Sequence, residues 1–226
     1  METDKRRNVL SIESAVMNGS VALIREESGA VIKREGPECS RAEKLLSTIS
    51  SLLDEAVLTL RDIDFVAASR GPGSYSGIRI GLSTALGLAN SVGVPCVGVS
   101  VLEAMACGSE LKGSFIVAIP VGKNDVAWQV FDVDGVGNCI VERSSELVSA
   151  ASFIDELSRF PNTMVFCQTD LITRIGDRMP PTTALMDAGL GMAEFVGRLA
   201  LRRGDAGDSI EPIYLRNPDS NRTPRF

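Results

Sequence analysis

The sequence predicts an α/β protein of two tandem lobes, each a mixed sheet with helices on its faces. Two observations carry this prediction. The order strand, strand, strand, helix, strand, helix runs twice along the chain, first over residues 1–105 and again over 106–207. Hydrophobic residues make up 44% and charged residues 23% of 226 positions, enough to bury a core in each lobe.

In the first lobe, NVLSIES, SVALIREE and AVIKREG read as three strands, separated by MNG and SG turns. Ser40 and Glu43 have the spacing of a capping box, and Leu45, Leu46, Ile49, Leu52 and Leu53 then recur at helical period. DFVAAS is a strand, residues 71–95 contain a helix, and PCVGVS is a short strand. Downstream, SFIVAIPV, VAWQVFDVD and CIVERSSEL repeat the three strands around KND and GVGN turns. A helix over roughly 149–159, the strand TMVFCQ and a helix from about Gly191 to Arg203 complete the second set. The repeat lies in the pattern of elements, with no evident identity between the halves. Three antiparallel strands followed by alternating helices and strands give a mixed sheet. Two such lobes in tandem resemble the layout of the actin, hexokinase and Hsp70 superfamily. The tail 208–226 is expected to return to the first lobe.

Composition removes several kinds of chemistry. The net charge of −6 disfavours direct binding of nucleic acid, which needs clustered Lys and Arg. The chain has no histidine, so a Ser-His-Asp triad, a histidine base and the usual zinc sites are excluded. Five cysteines occur without a C-x-x-C pair, which predicts free thiols in a reducing compartment. METDKRRNVL lacks the apolar run of a signal peptide, so the cytoplasm is the expected location and no membrane partner is expected.

GPGSYSGIRIGLSTALGLANSVGVP, residues 71–95, admits four readings. A Walker loop needs Gly-Lys-Ser/Thr, and the segment has no lysine. A dinucleotide fingerprint fails at Ser76, where its third glycine belongs, and at Ser100, where an acid would hold the ribose. A transmembrane helix is diluted by Ser83, Thr84, Asn90 and Ser91 and stopped by Pro95. Burial from two sides remains. Gly73, Gly77, Gly81, Ala85 and Ala89 fall every four residues as a bare stripe, and Ile78, Leu82 and Leu86 form a ridge beside it. The pattern leaves open whether a partner protein or a neighbouring helix of this chain covers that stripe. It likewise leaves Arg79 as either a partner for a carboxylate across an interface or a solvated residue.

The same stretch resembles the signature of the TsaB (YeaZ) family. The matching residues are Gly71-Pro72-Gly73-Ser74-Tyr75-Ser76-Gly77, Arg79-Ile80-Gly81, Pro95 and Gly98-Val99-Ser100-Val101-Leu102-Glu103-Ala104, with Pro212-Ile213-Tyr214-Leu215-Arg216 near the end. The resemblance implies an actin/Hsp70-like (ASKHA) fold of two RNase H-like βββαβα lobes. It implies a non-catalytic partner of the threonylcarbamoyl transferase TsaD, which modifies an adenosine beside the tRNA anticodon. On that reading Gly73, Gly77, Ile78, Arg79, Gly81, Leu82, Ala85 and Ala89 form the partner interface. The same helix would serve a homodimer of the isolated chain, a TsaE-like ATPase would join the complex, and tRNA would be met only through it. Arg216, Arg222 and Arg225 of the tail have no assigned contact.

Glu13, Asn18 and Gly19 correspond to the phosphate hairpin of actin-like ATPases, with Glu13 where the family commonly has Asp. The second lobe has Pro120 where the opposing acid would stand, so the hairpin reads as vestigial. The transferase relative holds its metal with a histidine pair, which this chain lacks, and Cys39 stands where many relatives have histidine. No catalytic residue, metal site or intrinsic cofactor is therefore expected, with ATP or ADP and magnesium only in a complex. The rival functions are an actin-like ATPase or kinase with its own turnover and a dinucleotide-binding protein.

Overall fold

The computed structural model describes residues 7–135, 138–189, 191–204 and 209–215. Arg216, Arg222 and Arg225 lie outside the described residues, as do 208 and 216–226 of the predicted tail.

The first sheet contains β1 (Asn8–Glu13), β2 (Ser20–Arg25), β3 (Val31–Glu35), β4 (Phe65–Ser69) and β5 (Cys96–Val99). Its order is β3-β2-β1-β4-β5, antiparallel across β1–β3 and parallel from β1 to β5. The central strands are buried on both faces, so they read as continuous apolar runs. Alternate residues point to opposite faces. Leu10, Ile12, Leu23, Val66 and Ala68 meet α1 (Ala42–Glu55) and α2 (Tyr75–Val92). Leu45, Ile49 and Leu52 of α1 are inserted there, each worth about 1.5–3 kcal/mol relative to exposure.

The second sheet contains β6 (Gly113–Val121), β7 (Asp125–Val133), β8 (Cys139–Val141), β9 (Glu146–Ser149), β10 (Met164–Cys167) and β11 (Ala184–Asp187). Its order is β11-β10-β6-β7-β8, with β9 also paired to β7. One face holds α4 (Ala150–Leu157) and α5 (Thr169–Ile175) through Trp128, Phe153, Val165 and Leu171.

The two sheets are joined by an exchange of helices. α3 (Val101–Gly108) follows β5 of the first sheet yet packs on β6, β7 and β8 of the second. α6 (Ala193–Arg203) follows β11 of the second sheet yet packs on β1, β2, β4 and β5 of the first. α3 and α6 also pack on each other. Val196, Leu199 and Ala200 of α6 fill the face formed by Val9, Ala22, Ile24, Phe65 and Ala67. Gly197 allows the close approach, since a Cβ there would overlap Ile24 Cδ1. The helix predicted to complete the second lobe therefore covers the first, and α5 takes its expected place after β10. A lobe boundary drawn at residue 207 separates α6 from the sheet that buries it. Among the described tail residues, Ile213 donates its N–H to Arg70 O at 2.7 Å, and Ile210 and Leu215 pack on the first core.

Three local expectations change. The capping box at Ser40 and Glu43 does not form: Ser40 Oγ donates to Pro37 O at 3.2 Å, and Arg41 is the cap of α1. The single third strand of the second lobe is two strands, β8 and β9, interrupted at 142–145. α3, α5 and β11 have eight, seven and four residues, too short to leave a clear period. Among the described residues no helix is long and apolar enough to cross a membrane.

Candidate functional site

α2 has two unlike faces. Its start is fixed by Ser74, whose Oγ accepts the Gly77 N–H at 3.0 Å. Gly93 ends it in the left-handed conformation, at φ 76°. Gly77, Ile78, Gly81, Leu82, Ala85 and Ala89 are buried within the chain itself. The loop after β1 covers the glycine end of that stripe. A Cβ on Gly77 would overlap Ser14 O, one on Gly81 would lie 2.5 Å from Ser14 Oγ, and one on Gly73 would lie 2.5 Å from Ala15 O. Ser14 Oγ donates to Gly77 O at 2.8 Å, and Ser74 N donates to Ala15 O at 2.7 Å.

This corrects the predicted interface. The bare stripe is a close-approach surface, but what approaches is the chain's own hairpin loop, some sixty residues upstream in sequence. Of the eight predicted interface residues, Arg79 is exposed and Gly73 is half-buried.

The outer face of α2 carries Tyr75, Ser76, Arg79, Ser83, Leu86, Gly87 and Asn90, all exposed. Arg79 lies over the Tyr75 ring, 4.1 Å from its centroid, and its Nε donates to Tyr214 Oη at 3.3 Å. The Tyr75 and Tyr214 rings are 4.8 Å apart. Tyr75, Leu86 and Tyr214 are each 37% exposed, so large apolar groups line this face. Nothing lies within 4 Å of a Cβ built on Gly87. Sequence reasoning missed Tyr214 as a neighbour of Arg79, because the contact spans 135 residues.

Glu13, Asn18 and Gly19 do come together. They line a cleft of about 180 Å³ with Glu35, Gln168 and Met192. Glu13 is 1% exposed and accepts the N–H groups of Ala15 at 2.6 Å and Val16 at 2.9 Å. Burial outweighs those bonds and pushes its carboxyl up to about 7. Glu13 thus braces the loop that fills the α2 stripe. Gln168, at the end of β10, is 1% exposed, and its Oε1 has no hydrogen-bond partner among the described residues. The cleft lining has neither Lys nor Arg, so it supplies no cationic side chain to hold an anion. Its volume is below the roughly 300–1,000 Å³ of sites that enclose drug-sized ligands. In the second sheet Pro120 faces Val126 across the β6–β7 ladder, so no acid opposes Glu13 from that position. Cys39 is buried, and its thiol is pushed up to about 11 by burial, then by the Glu38 charge. Among the described residues no group of three His, Cys, Asp or Glu side chains is placed to hold a metal ion.

Comparison with known proteins gives a consistent neighbourhood. Residues 37–148 match the family model described as TsaD, tRNA N6-adenosine threonylcarbamoyltransferase. The tRNA threonylcarbamoyladenosine biosynthesis protein TsaB of Escherichia coli (strain K12) is 27% identical over 221 residues, 92% of this chain and 94% of that protein. The protein of the same name from Buchnera aphidicola subsp. Schizaphis graminum is 34% identical over 125 residues, 53% of this chain and 58% of that one. The solved structure of YeaZ from Pseudomonas aeruginosa superposes with a TM-score of 0.70 at 24% identity, over 92% of this chain and all of that one. The fold is the actin/Hsp70-like ASKHA fold of two RNase H-like lobes with mixed sheets.

Proposed function

We propose that this chain, which is similar to TsaB of Escherichia coli and to YeaZ of Pseudomonas aeruginosa, is a non-catalytic scaffold subunit of the machinery that makes N6-threonylcarbamoyladenosine in tRNA. It binds and activates a TsaD-like transferase, and the chemistry belongs to that partner. The observation that carries this reading is the outer face of α2. A helix whose inner face is filled by its own chain still exposes Tyr75, Arg79, Leu86 and Tyr214 together, around the bare positions Ser83 and Gly87. Aromatic and arginine anchors on an ordered helix suit a protein interface. The interface is thus proposed on the face opposite the buried glycine stripe, with Arg79 common to both assignments.

The non-catalytic role is supported by the chemistry of the cleft. Its lining offers no Lys or Arg to hold a phosphate, Glu13 is tied to its own loop, and the chain has no histidine for a transferase-type metal pair. We take ATP or ADP with magnesium to bind only in the complex, tRNA to be met only through it, and a TsaE-like ATPase to join it. The isolated chain would pair with itself through the same face, and the setting is cytoplasmic.

The test is light scattering after gel filtration, with the TsaD-like protein of the same organism, ATP and magnesium. The wild type is expected to form a stable complex that Gly87→Leu loses while remaining folded. Absence of a complex with the wild type would overturn the scaffold reading. Hydrolysis of ATP by the isolated chain would favour the ATPase rival, and saturable NAD(P) binding the dinucleotide rival.

A further inference from the structure

The cleft beside Glu13 is walled by both halves of the chain. β1 ends in Glu13, β3 ends in Glu35, and both residues line it from the first sheet. Gln168 lines it from the second sheet, directly after β10, and Met192 stands at the start of α6. Val16 and Met192 are buried and give the wall an apolar part beside these polar groups. Gly191, at φ 77°, lets the Glu35 carboxylate lie against the backbone, since a Cβ there would overlap it.

Two buried acceptors in this wall, one from each half, lack a donor. Glu13 Oε1 accepts the N–H groups of Ala15 and Val16, and Oε2 accepts none from the described residues. Gln168 is buried, and its Oε1 has no partner among the described residues. Buried polar atoms are nearly always hydrogen-bonded, so two orphaned acceptors lining one cleft mark a missing donor. The terminal torsion of a glutamine is soft, so the amide oxygen of Gln168 can turn to the lumen. Lys33 is outside the lining, where its Nζ lies 3.4 Å from Glu35 Oε1. The raised Glu13 carboxyl fits a buried acid that faces no cation, because desolvation is the largest cause of its shift. A bare divalent ion needs more oxygen ligands than this wall offers, and no group of three acidic side chains gathers here among the described residues.

We infer that the cleft binds a primary ammonium group carried on a short aliphatic chain. An ammonium is a compact charge with three N–H donors. It donates to Glu13 Oε2 and to Gln168 Oε1, which links the two halves, and its third N–H is left for Glu35. The carbon chain lies on Val16 and Met192, with Met17 at the mouth.

The test titrates n-butylammonium chloride into the isotope-labelled full-length chain, followed by NMR of the backbone amides. Saturable shifts are expected at Gly19, Gly36, Gln168 and Gly191, which line the cleft. Tetramethylammonium has the same charge without N–H donors, and it and potassium are expected to produce no saturable shift there. Glu13→Gln keeps Oε1 for Ala15 and Val16 but removes the charge. Gln168→Leu removes an oxygen that holds nothing in the fold. Each variant is expected to weaken n-butylammonium binding at least about tenfold, the loss of one hydrogen bond to a charged group. The melting temperature of Gln168→Leu should match or exceed that of the wild type, which separates lost binding from lost folding. Absence of saturable shifts, equal shifts with tetramethylammonium or potassium, shifts confined to other parts of the chain, or undiminished binding by folded Gln168→Leu would each overturn the inference.

Discussion

α2 and α5 occupy the same place in the two halves, each following the strand, β4 or β10, that runs parallel to the first strand of its sheet. α2 has 18 residues and α5 seven. The longer helix has a side-chain cap from Ser74, a left-handed glycine at its end, and an inner stripe that accepts the loop after β1. The shorter one begins at Gln168 without a side-chain cap. The first half has kept an element that is rigid on one side and open on the other. The second half supplies a sheet and, through α6, a cover for the first. The difference teaches that the two halves share a plan while only the first carries a long helix with one face filled by its own chain and the other, with Tyr75, Arg79 and Leu86, left at the surface.

The largest expected effect is on the inner face of α2. Gly81→Leu would drive a side chain into Ser14 and Ile12, and should cost about 3 kcal/mol or more in urea unfolding. A variant that kept full stability but lost the partner would return the interface to the glycine stripe. Next is the loop that fills the stripe. The Glu13 carboxyl is raised from 4.5 to about 7, so the folded chain holds a proton that the unfolded chain releases in that window. Its contribution to stability is fully present below about pH 4.5 and is lost as pH rises through about 7. Glu13→Gln should flatten this fall, which is on the order of 3 kcal/mol, in denaturation curves measured from pH 4 to 8.

The outer face should behave in the opposite way. Tyr75→Ala or Arg79→Ala is expected to weaken partner binding at least tenfold, about 1.4 kcal/mol, in calorimetric titration. Folding stability should change by less than about 1 kcal/mol, since both side chains are at the surface. The smallest effect is at Gly87, where a methyl group meets open space. Gly87→Ala should raise stability by about 0.5–1 kcal/mol through helix propensity alone, read as a higher melting temperature.

The sequence by itself determined the five strands of the first sheet, β6, β7 and β10 of the second, α1, α2 and the burial of one stripe of α2. Those features rest on period and turn residues, which act over a few positions. It also placed Glu13, Asn18 and Gly19 in one hairpin. Only the tertiary structure decided what covers the stripe, which sheet α6 serves, and that Tyr214 meets Arg79. Residue pattern reports that a face must leave water, because apolar burial scales with area and has no direction. It does not report which surface provides the cover. Ser14 and Ala15 do so here because glycines at 73, 77 and 81 let a loop come within contact, and α6 crosses to the first sheet because Gly197 fits over Ser11 and Ile24.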